Sequence, residues 1–269
     1  MDNPVIVFGD DRSAHADRAW LWINNQRWPG WTVDAVTAVP EREDLASDEL
    51  PIRLDEWKPD SPRKAFVETG ITSVRSLRSS ADPRLVLASC HDASLVVIGP
   101  KGAHGLRNLF LGSTADHLLR QPPAPLLIAT TSRQVTRVLV CTDGSPNAQR
   151  AVEVFSQLPL AADADHIAVI GVATVGIYDD RDEIYKGVDA AAEVLSGLNP
   201  EPIRVDSEGD VAGTVLDHAF ALRAQLVVLG TRGLTGLRRI VLGSTANAVA
   251  RTVPCSVLVV PEERTVGER

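Results

Sequence analysis

The stretch Leu95-Val-Val-Ile-Gly99-Pro-Lys-Gly102-Ala-His-Gly105-Leu-Arg107-Asn-Leu-Phe-Leu-Gly112-Ser113-Thr114-Ala115 returns almost residue for residue later in the chain. Its second copy reads Leu226-Val-Val-Leu-Gly230-Thr-Arg-Gly233-Leu-Thr-Gly236-Leu-Arg238-Arg-Ile-Val-Leu-Gly243-Ser244-Thr245-Ala246. Each copy opens on a short Val-rich run, of the kind expected for a strand covered on both faces. It then passes through a glycine-rich loop to Gly-Ser-Thr, directly before a helical pattern.

Upstream, Val5-Ile-Val-Phe-Gly-Asp-Asp11-Arg-Ser13 matches Arg137-Val-Leu-Val-Cys-Thr-Asp143-Gly-Ser145 in a register displaced by one residue, and the Arg-Ala pairs Arg18-Ala19 and Arg150-Ala151 follow. One insertion or deletion explains the displacement. The repeat exceeds the roughly 20 to 50 residues of a solenoid unit, so the chain is a duplicated domain. The joint falls near residues 130–134, which predicts domains over 1–132 and 133–269.

Short apolar runs mark strands at 4–9, 32–39, 71–77, 95–98 and 126–129, and at 137–142, 167–173, 202–206, 226–229 and 257–260. The intervals are long enough for crossover helices and therefore for parallel strands. Helices are predicted at 15–28, 113–120, 147–157, 210–223 and 244–251, with less distinct patterns at 62–70 and 183–197. The expected fold is α/β: two tandem doubly wound domains, each a five-stranded parallel open sheet flanked by about four helices. Residues 40–60, charged and containing three prolines, read as a partly ordered loop. All five tryptophans lie in the first copy, which points either to extra packing or an interface there or to ordinary core placement.

Composition narrows the function. With 44% hydrophobic and 23% charged residues the 269-residue chain reads as globular rather than disordered. Its net charge of -8 and lack of a basic run argue against nucleic acid as a partner. No apolar run approaches membrane-spanning length and no signal-peptide pattern opens the chain, so a cytoplasmic protein without a membrane partner is expected. Cys90, Cys141 and Cys255 are far apart and odd in number, which suits isolated buried thiols better than disulfides or metal ligands. The histidines show no metal-ligand spacing.

In an open parallel sheet the ligand crevice lies beyond the carboxyl ends of the strands. Gly99 and Gly230 end a strand, Gly102 and Gly233 permit a tight turn, and Gly112 and Gly243 precede a helix. Backbone without β-carbons lets a polyphosphate approach closely. The N–H groups at 113–115 and 244–246 can receive its oxygens, beside the hydroxyls of Ser113, Thr114, Ser244 and Thr245. Alternatively, Ser113 and Ser244 are plain N-caps and the glycines plain turn residues. Asp11 and Asp143 can accept hydrogen bonds from ribose or a base, or simply from turn amides. Lys101, His104, Arg107, Arg232, Arg238 and Arg239 offer positive charge nearby. The P-loop, Rossmann and nucleophile-elbow signatures are all absent.

With G-x2-G-x9-G-Ser-Thr occurring twice, each after an Asp-x-Ser turn, the chain resembles a tandem-domain universal stress protein of the nucleotide-binding branch over residues 4–129 and 136–260. The resemblance implies ATP as ligand, with Mg²⁺ held only through phosphates. It places Asp11 and Asp143 on adenosine, the backbone near Ala38 and Val172 on adenine, and Gly99, Gly102, Gly230 and Gly233 along ribose and phosphates. Gly112, Ser113, Gly243 and Ser244 would close on the phosphate tail, with Thr114 and Thr245 adjacent. It also implies pairing of last strands, either within the chain as a pseudo-dimer or between chains as a homodimer. The first copy departs in Arg12, where the second has Gly144, and in Pro100, where the second has Thr231. The expected function is an ATP-responsive regulatory or stress-response factor with little or no turnover. A slow adenine-nucleotide hydrolase and a nucleotide-independent scaffold are the alternatives.

Overall fold

The computed structural model describes residues 3–39, 53–101, 111–175, 180–233 and 242–262. The chain divides into two compact units, Met1–Gln134 and Val135–Arg269.

The first unit runs β1 (Val5–Gly9), α1 (Ala14–Asn24), β2 (Thr32–Ala38), β3 (Asp55–Glu56), β4 (Ser73–Ser79), α2 (Pro83–Ala88), β5 (Leu95–Ile98), α3 (Ser113–Arg120) and β6 (Leu126–Ile128). Its strand order is β3-β4-β2-β1-β5-β6. β1 lies parallel between β2 and β5, with Val7 opposite both Asp34 and Val96. The second unit runs β7 (Arg137–Cys141), α4 (Pro146–Gln157), α5 (Pro159–Ala162), β8 (His166–Thr174), α6 (Arg181–Val194), β9 (Glu201–Ser207), α7 (Val211–Leu222), β10 (Leu226–Gly230), α8 (Ser244–Thr252) and β11 (Ser256–Val260). Its order is β11-β10-β7-β8-β9, all parallel.

In both units the chain leaves the first strand to one side and returns on the other. The switch point therefore lies between β1 and β5 and between β7 and β10, where an open sheet parts to admit a ligand. The central strands are buried on both faces: Ile6, Phe8, Leu95 to Ile98, Val138 to Val140 and Leu226 to Leu229 are almost wholly shielded. At about 1.5–3 kcal/mol per buried large apolar side chain, these runs dominate the favourable side of folding.

The first unit departs from the expected plan after β2. No α-helix forms over 62–70, which contains only a single 3-10 turn at Val67–Thr69 ending on left-handed Gly70. Pro59 and Pro62 push the residues before them toward extended backbone. The Phe66 amide, which a helix would pair with residue 62, instead donates to Asn24 Oδ1 at 2.7 Å. Ahead of this turn, β3 pairs antiparallel with β4, so the described sheet of this unit is not purely parallel. In the second unit the same connection is the helix α6. The sequence reading also overlooked α2, started by Asp82, whose side chain accepts the Arg84 amide.

The tryptophans are mostly core. Trp20, Trp22, Trp28 and Trp31 are buried, and the Trp22, Trp28 and Trp31 rings meet in series, tilted to one another, at 6.1 and 5.2 Å between centroids. Trp57 alone is half-buried, and it belongs to the segment that replaces the missing helix.

Candidate functional site

The turn after the first strand is built alike in both units. Ser13 caps α1 and Ser145 caps α4, each hydroxyl accepting the amide three residues on, at 3.1 and 3.2 Å. Each serine amide in turn donates to the preceding aspartate, Ser13 to Asp11 Oδ1 and Ser145 to Asp143 Oδ1, both at 3.0 Å. This is the Asx geometry expected of a turn aspartate, and it commits only one carboxylate oxygen to that bond. The middle residue is left-handed in both: Gly144 at φ 81° and Arg12 at φ 59°. Only glycine adopts that conformation without strain.

The fourth-strand loop meets this turn in the second unit. A β-carbon on Gly233 would overlap Asp143 Oδ2, so the loop backbone lies directly against the aspartate. Ser145 Oγ also donates to the Arg232 carbonyl at 3.3 Å. Gly99 and Gly230 have a further reason to be glycine. An added β-carbon would stand 2.8 Å from the His15 carbonyl oxygen in one unit and from that of Asn147 in the other. Close approach of α1 and α4 to the sheet already requires these two glycines, whether or not a ligand passes them.

Gly112 and Gly243, not the serines, are the N-caps of α3 and α8. Their own amides close the loop onto the Pro100 and Thr231 carbonyls, both at 2.7 Å. Neither cap offers a side-chain acceptor, and among the described residues no side chain caps the first-turn amides from residues 113 and 244 onward, the groups that an anion can receive at a helix start. Ser113 and Ser244 are the first helical residues and are exposed, with Thr114 and Thr245 beside them half-buried.

Ala38 and Val172 occupy equivalent places near the carboxyl ends of β2 and β8. Each stands two residues beyond the carbonyl that receives the Asp10 or Thr142 amide, Val36 and Ile170 respectively. Topology thus gathers Asp11, Ala38, Gly99, Gly112, Ser113 and Thr114 at one end of the first sheet, and their counterparts at the same end of the second. Gly102, His104, Arg107, Arg238 and Arg239 lie outside the described residues.

The sequence leaves open whether Arg12 occupies the crevice mouth or pairs with a phosphate, and it has Pro100 remove one N–H from the loop; the structure accounts for both departures by local contacts. In the second unit the Thr231 amide donates to Val260 of the adjacent strand at 3.1 Å. The N–H lost at Pro100 is therefore a sheet bond rather than a loop donor. Arg12 is directed away from the crevice: its Nη1 donates to the Ser61 carbonyl at 2.6 Å, its Nε pairs with Asp10 at 3.1 Å and its guanidinium faces the Trp57 ring at 5.8 Å. Arg232 is likewise engaged, pairing with Glu262 at 2.6 Å.

Asp10 and Arg63 were given no role in the sequence reading, which noted Trp57 only as one of the five tryptophans of the first copy. The Asp10 side chain is buried, and Arg63 grips it through Nε at 2.8 Å and Nη2 at 2.6 Å while Nη1 reaches Asp17 at 2.7 Å. One signal was available: Asp10 stands where the second copy has Thr142, a charge in the wall of an otherwise apolar strand.

Burial lowers the His15 pKa, and the nearby charges of Arg18 and Lys101 add to the effect against an opposing pull from Asp11. Among the described residues, no group of three His, Cys, Asp or Glu side chains is placed to hold a metal ion, and no helix is long and apolar enough to cross a membrane.

Comparison with known proteins agrees with this architecture. The sequence profile described as the universal stress protein family matches residues 3–130 and again 134–261. A universal stress protein of Mycolicibacterium smegmatis is 27% identical over 208 residues, 71% of this chain and 69% of its own length. The fold resembles that of a universal stress protein from Archaeoglobus fulgidus, with TM-score 0.64 and 17% identity over 98% of this chain and 100% of the other. It also resembles a putative universal stress protein from Pseudomonas aeruginosa, with TM-score 0.61 and 17% identity over 96% and 93% of the respective chains.

Proposed function

Since the chain belongs to the universal stress protein family, its profile matching both halves, we propose that it binds an adenine nucleotide, ATP, in the crevice of each unit and acts as a nucleotide-responsive regulatory or stress-response factor with little or no turnover. The observation that carries this reading is the pairing of an Asp-x-Ser turn with a glycine-capped helix start at the switch point of each sheet. An exposed helix start whose cap supplies no side-chain acceptor is suited to phosphate oxygens, because its amides point outward and the helix dipole favours negative charge. The neighbouring aspartate is a carboxylate held at the crevice end of the sheet, an acceptor of the kind that suits hydroxyl donors such as those of ribose.

Mg²⁺, where it takes part, would be held through the phosphates. A metal so bound needs few protein ligands, which fits the donor set around Ser113 and Ser244. In this reading the chain's own groups bind and orient the nucleotide rather than activate water. The engagement of Arg12 and Arg232 elsewhere favours open crevices over a scaffold whose crevices are filled by their own side chains.

Photo-crosslinking with an azido-ATP analogue, followed by peptide mapping, tests the assignment. Label on the peptides carrying Asp11 or Ser113 and Asp143 or Ser244, competed by ATP, is the expected result. Uncompeted or scattered label would remove the nucleotide reading. A steady ATPase rate that Asp143→Ala abolishes would replace the low-turnover part with hydrolysis.

A further inference from the structure

We propose that Arg63 is a positioning residue for the first unit, clamping the Asp11 turn through Asp10 and so making the crevice of that unit depend on the segment Asp55–Arg63. This rests on the nucleotide reading only for its consequence; the clamp itself is a matter of geometry.

The two turns are alike in hydrogen bonding but differ in what supports them. In the second unit α6 packs directly on the turn. A β-carbon on Gly144 would stand 2.7 Å from the Glu183 carbonyl oxygen, and one on Gly187 would overlap the Gly144 backbone. That glycine-on-glycine contact backs the Thr142–Ser145 turn with a packed helix. Among the described residues the first unit has no α-helix at this connection, and the middle turn position carries Arg12, held left-handed at φ 59° against its intrinsic preference. Some other interaction must hold it.

The Asp10 carboxylate provides it. Asp10 Oδ1 accepts the Arg12 amide at 3.1 Å, as Thr142 Oγ1 accepts the Gly144 amide at 3.2 Å. The Asp10 carboxylate is fixed by the two-pronged grip of Arg63, whose side chain is only 12% exposed. Arg63 is fixed in turn by Asp17 on α1 and lies over the Phe8 ring at 5.7 Å. From β3 onward the segment is tied down by the Trp57 amide, which donates to the Ser76 carbonyl at 2.8 Å, and by Trp57 lying between the guanidinium groups of Arg12 and Arg78.

Direction also matters. The face of Gly144 toward which a side chain would project is the one covered by α6, whereas Gly233 and Asp143 meet on the crevice side. A side chain at position 12 therefore projects toward the Asp55–Arg63 segment and leaves the crevice open. The segment is a support for the first crevice rather than an obstruction of it. A two-pronged guanidinium–carboxylate pair is demanding in geometry, and lysine cannot reproduce both prongs.

The test uses the full chain as wild type, Arg63→Gln and Arg63→Lys. Because all five tryptophans lie in the first unit, tryptophan emission during ATP titration reads that unit. Amide hydrogen exchange compares Arg12 and Ser13 with Gly144 and Ser145. Arg63→Gln is expected to weaken ATP binding in the first unit by about tenfold or more, with Arg63→Lys between it and wild type. Exchange at Arg12 and Ser13 is expected to quicken while that at Gly144 and Ser145 is unchanged. Unchanged exchange at Arg12 and Ser13 in a folded Arg63→Gln chain would overturn the clamp. Tighter ATP binding in that variant would overturn it too, by making the segment an obstruction. If wild type takes no ATP but exchange at Arg12 and Ser13 still quickens, the clamp stands and only the nucleotide reading falls.

Discussion

Gly233 lies so close to Asp143 that a β-carbon on the glycine would overlap Oδ2 of the carboxylate. The contact joins the loop after β10 to the turn after β7, and its softer partner is the end of a side chain rather than backbone. Gly233→Ala should therefore leave the fold intact, because the carboxylate can rotate, while displacing the group proposed to meet ribose. Calorimetry should find ATP affinity in the second unit reduced about tenfold with little change in thermal unfolding. A large loss of stability would mean that Gly233 serves packing.

Gly230→Ala should behave in the opposite way. Its β-carbon would press on the Asn147 carbonyl oxygen at 2.8 Å and the Ala148 amide nitrogen at 3.0 Å, which are backbone atoms of α4 that cannot rotate aside. Overpacking of this kind costs about 1–3 kcal/mol, to be read from urea unfolding of the variant against wild type. Gly99→Ala, against the His15 carbonyl, should match it in the first unit.

The paired Asp-x-Ser turns and glycine-preceded helix starts were legible in the sequence because duplication supplies its own comparison: what recurs at matching places is separated from what does not. The parallel strands were legible because runs such as Leu226 to Leu229 are apolar without alternation, the pattern of strands buried on both faces. The starts of α3 and α8 were legible too, with Gly112 and Gly243 directly before the helices, and the alternative of serine caps falls. The packing need at Gly99 and Gly230 was not legible, because sequence cannot tell close approach of a phosphate from close approach of a helix. The Arg63–Asp10 pair was invisible for another reason: its partners are far apart in the chain, and only the second unit's helix reveals that something must replace it.

His15 should make the first unit sensitive to acid. Its pKa in the folded chain is lowered, chiefly by burial, so the folded state prefers the neutral ring. The contribution is fully present above the unfolded value of about 6.5 and is lost as pH falls below it through the lower folded value. NMR titration should place the His15 midpoint below that of the unfolded chain, and His15→Asn, the residue of the second unit, should flatten stability across this window. An unshifted midpoint would contradict the assignment.

Cys255 should resist alkylation while the chain is folded. It is 5% exposed, and burial pushes its thiol up to about 12, leaving almost no thiolate at neutral pH. Mass spectrometry after iodoacetamide treatment should find it modified only once urea is added; modification at the rate of an unfolded thiol would place it at the surface.

The most direct test of the central claim is isothermal titration of the nucleotide-stripped full chain with ATP in the presence of Mg²⁺, fitted for stoichiometry. Two ATP per chain is the predicted result, one for each Asp-x-Ser turn and glycine-capped helix. Absence of binding at millimolar ATP would contradict it and leave the paired crevices as packing features of a scaffold.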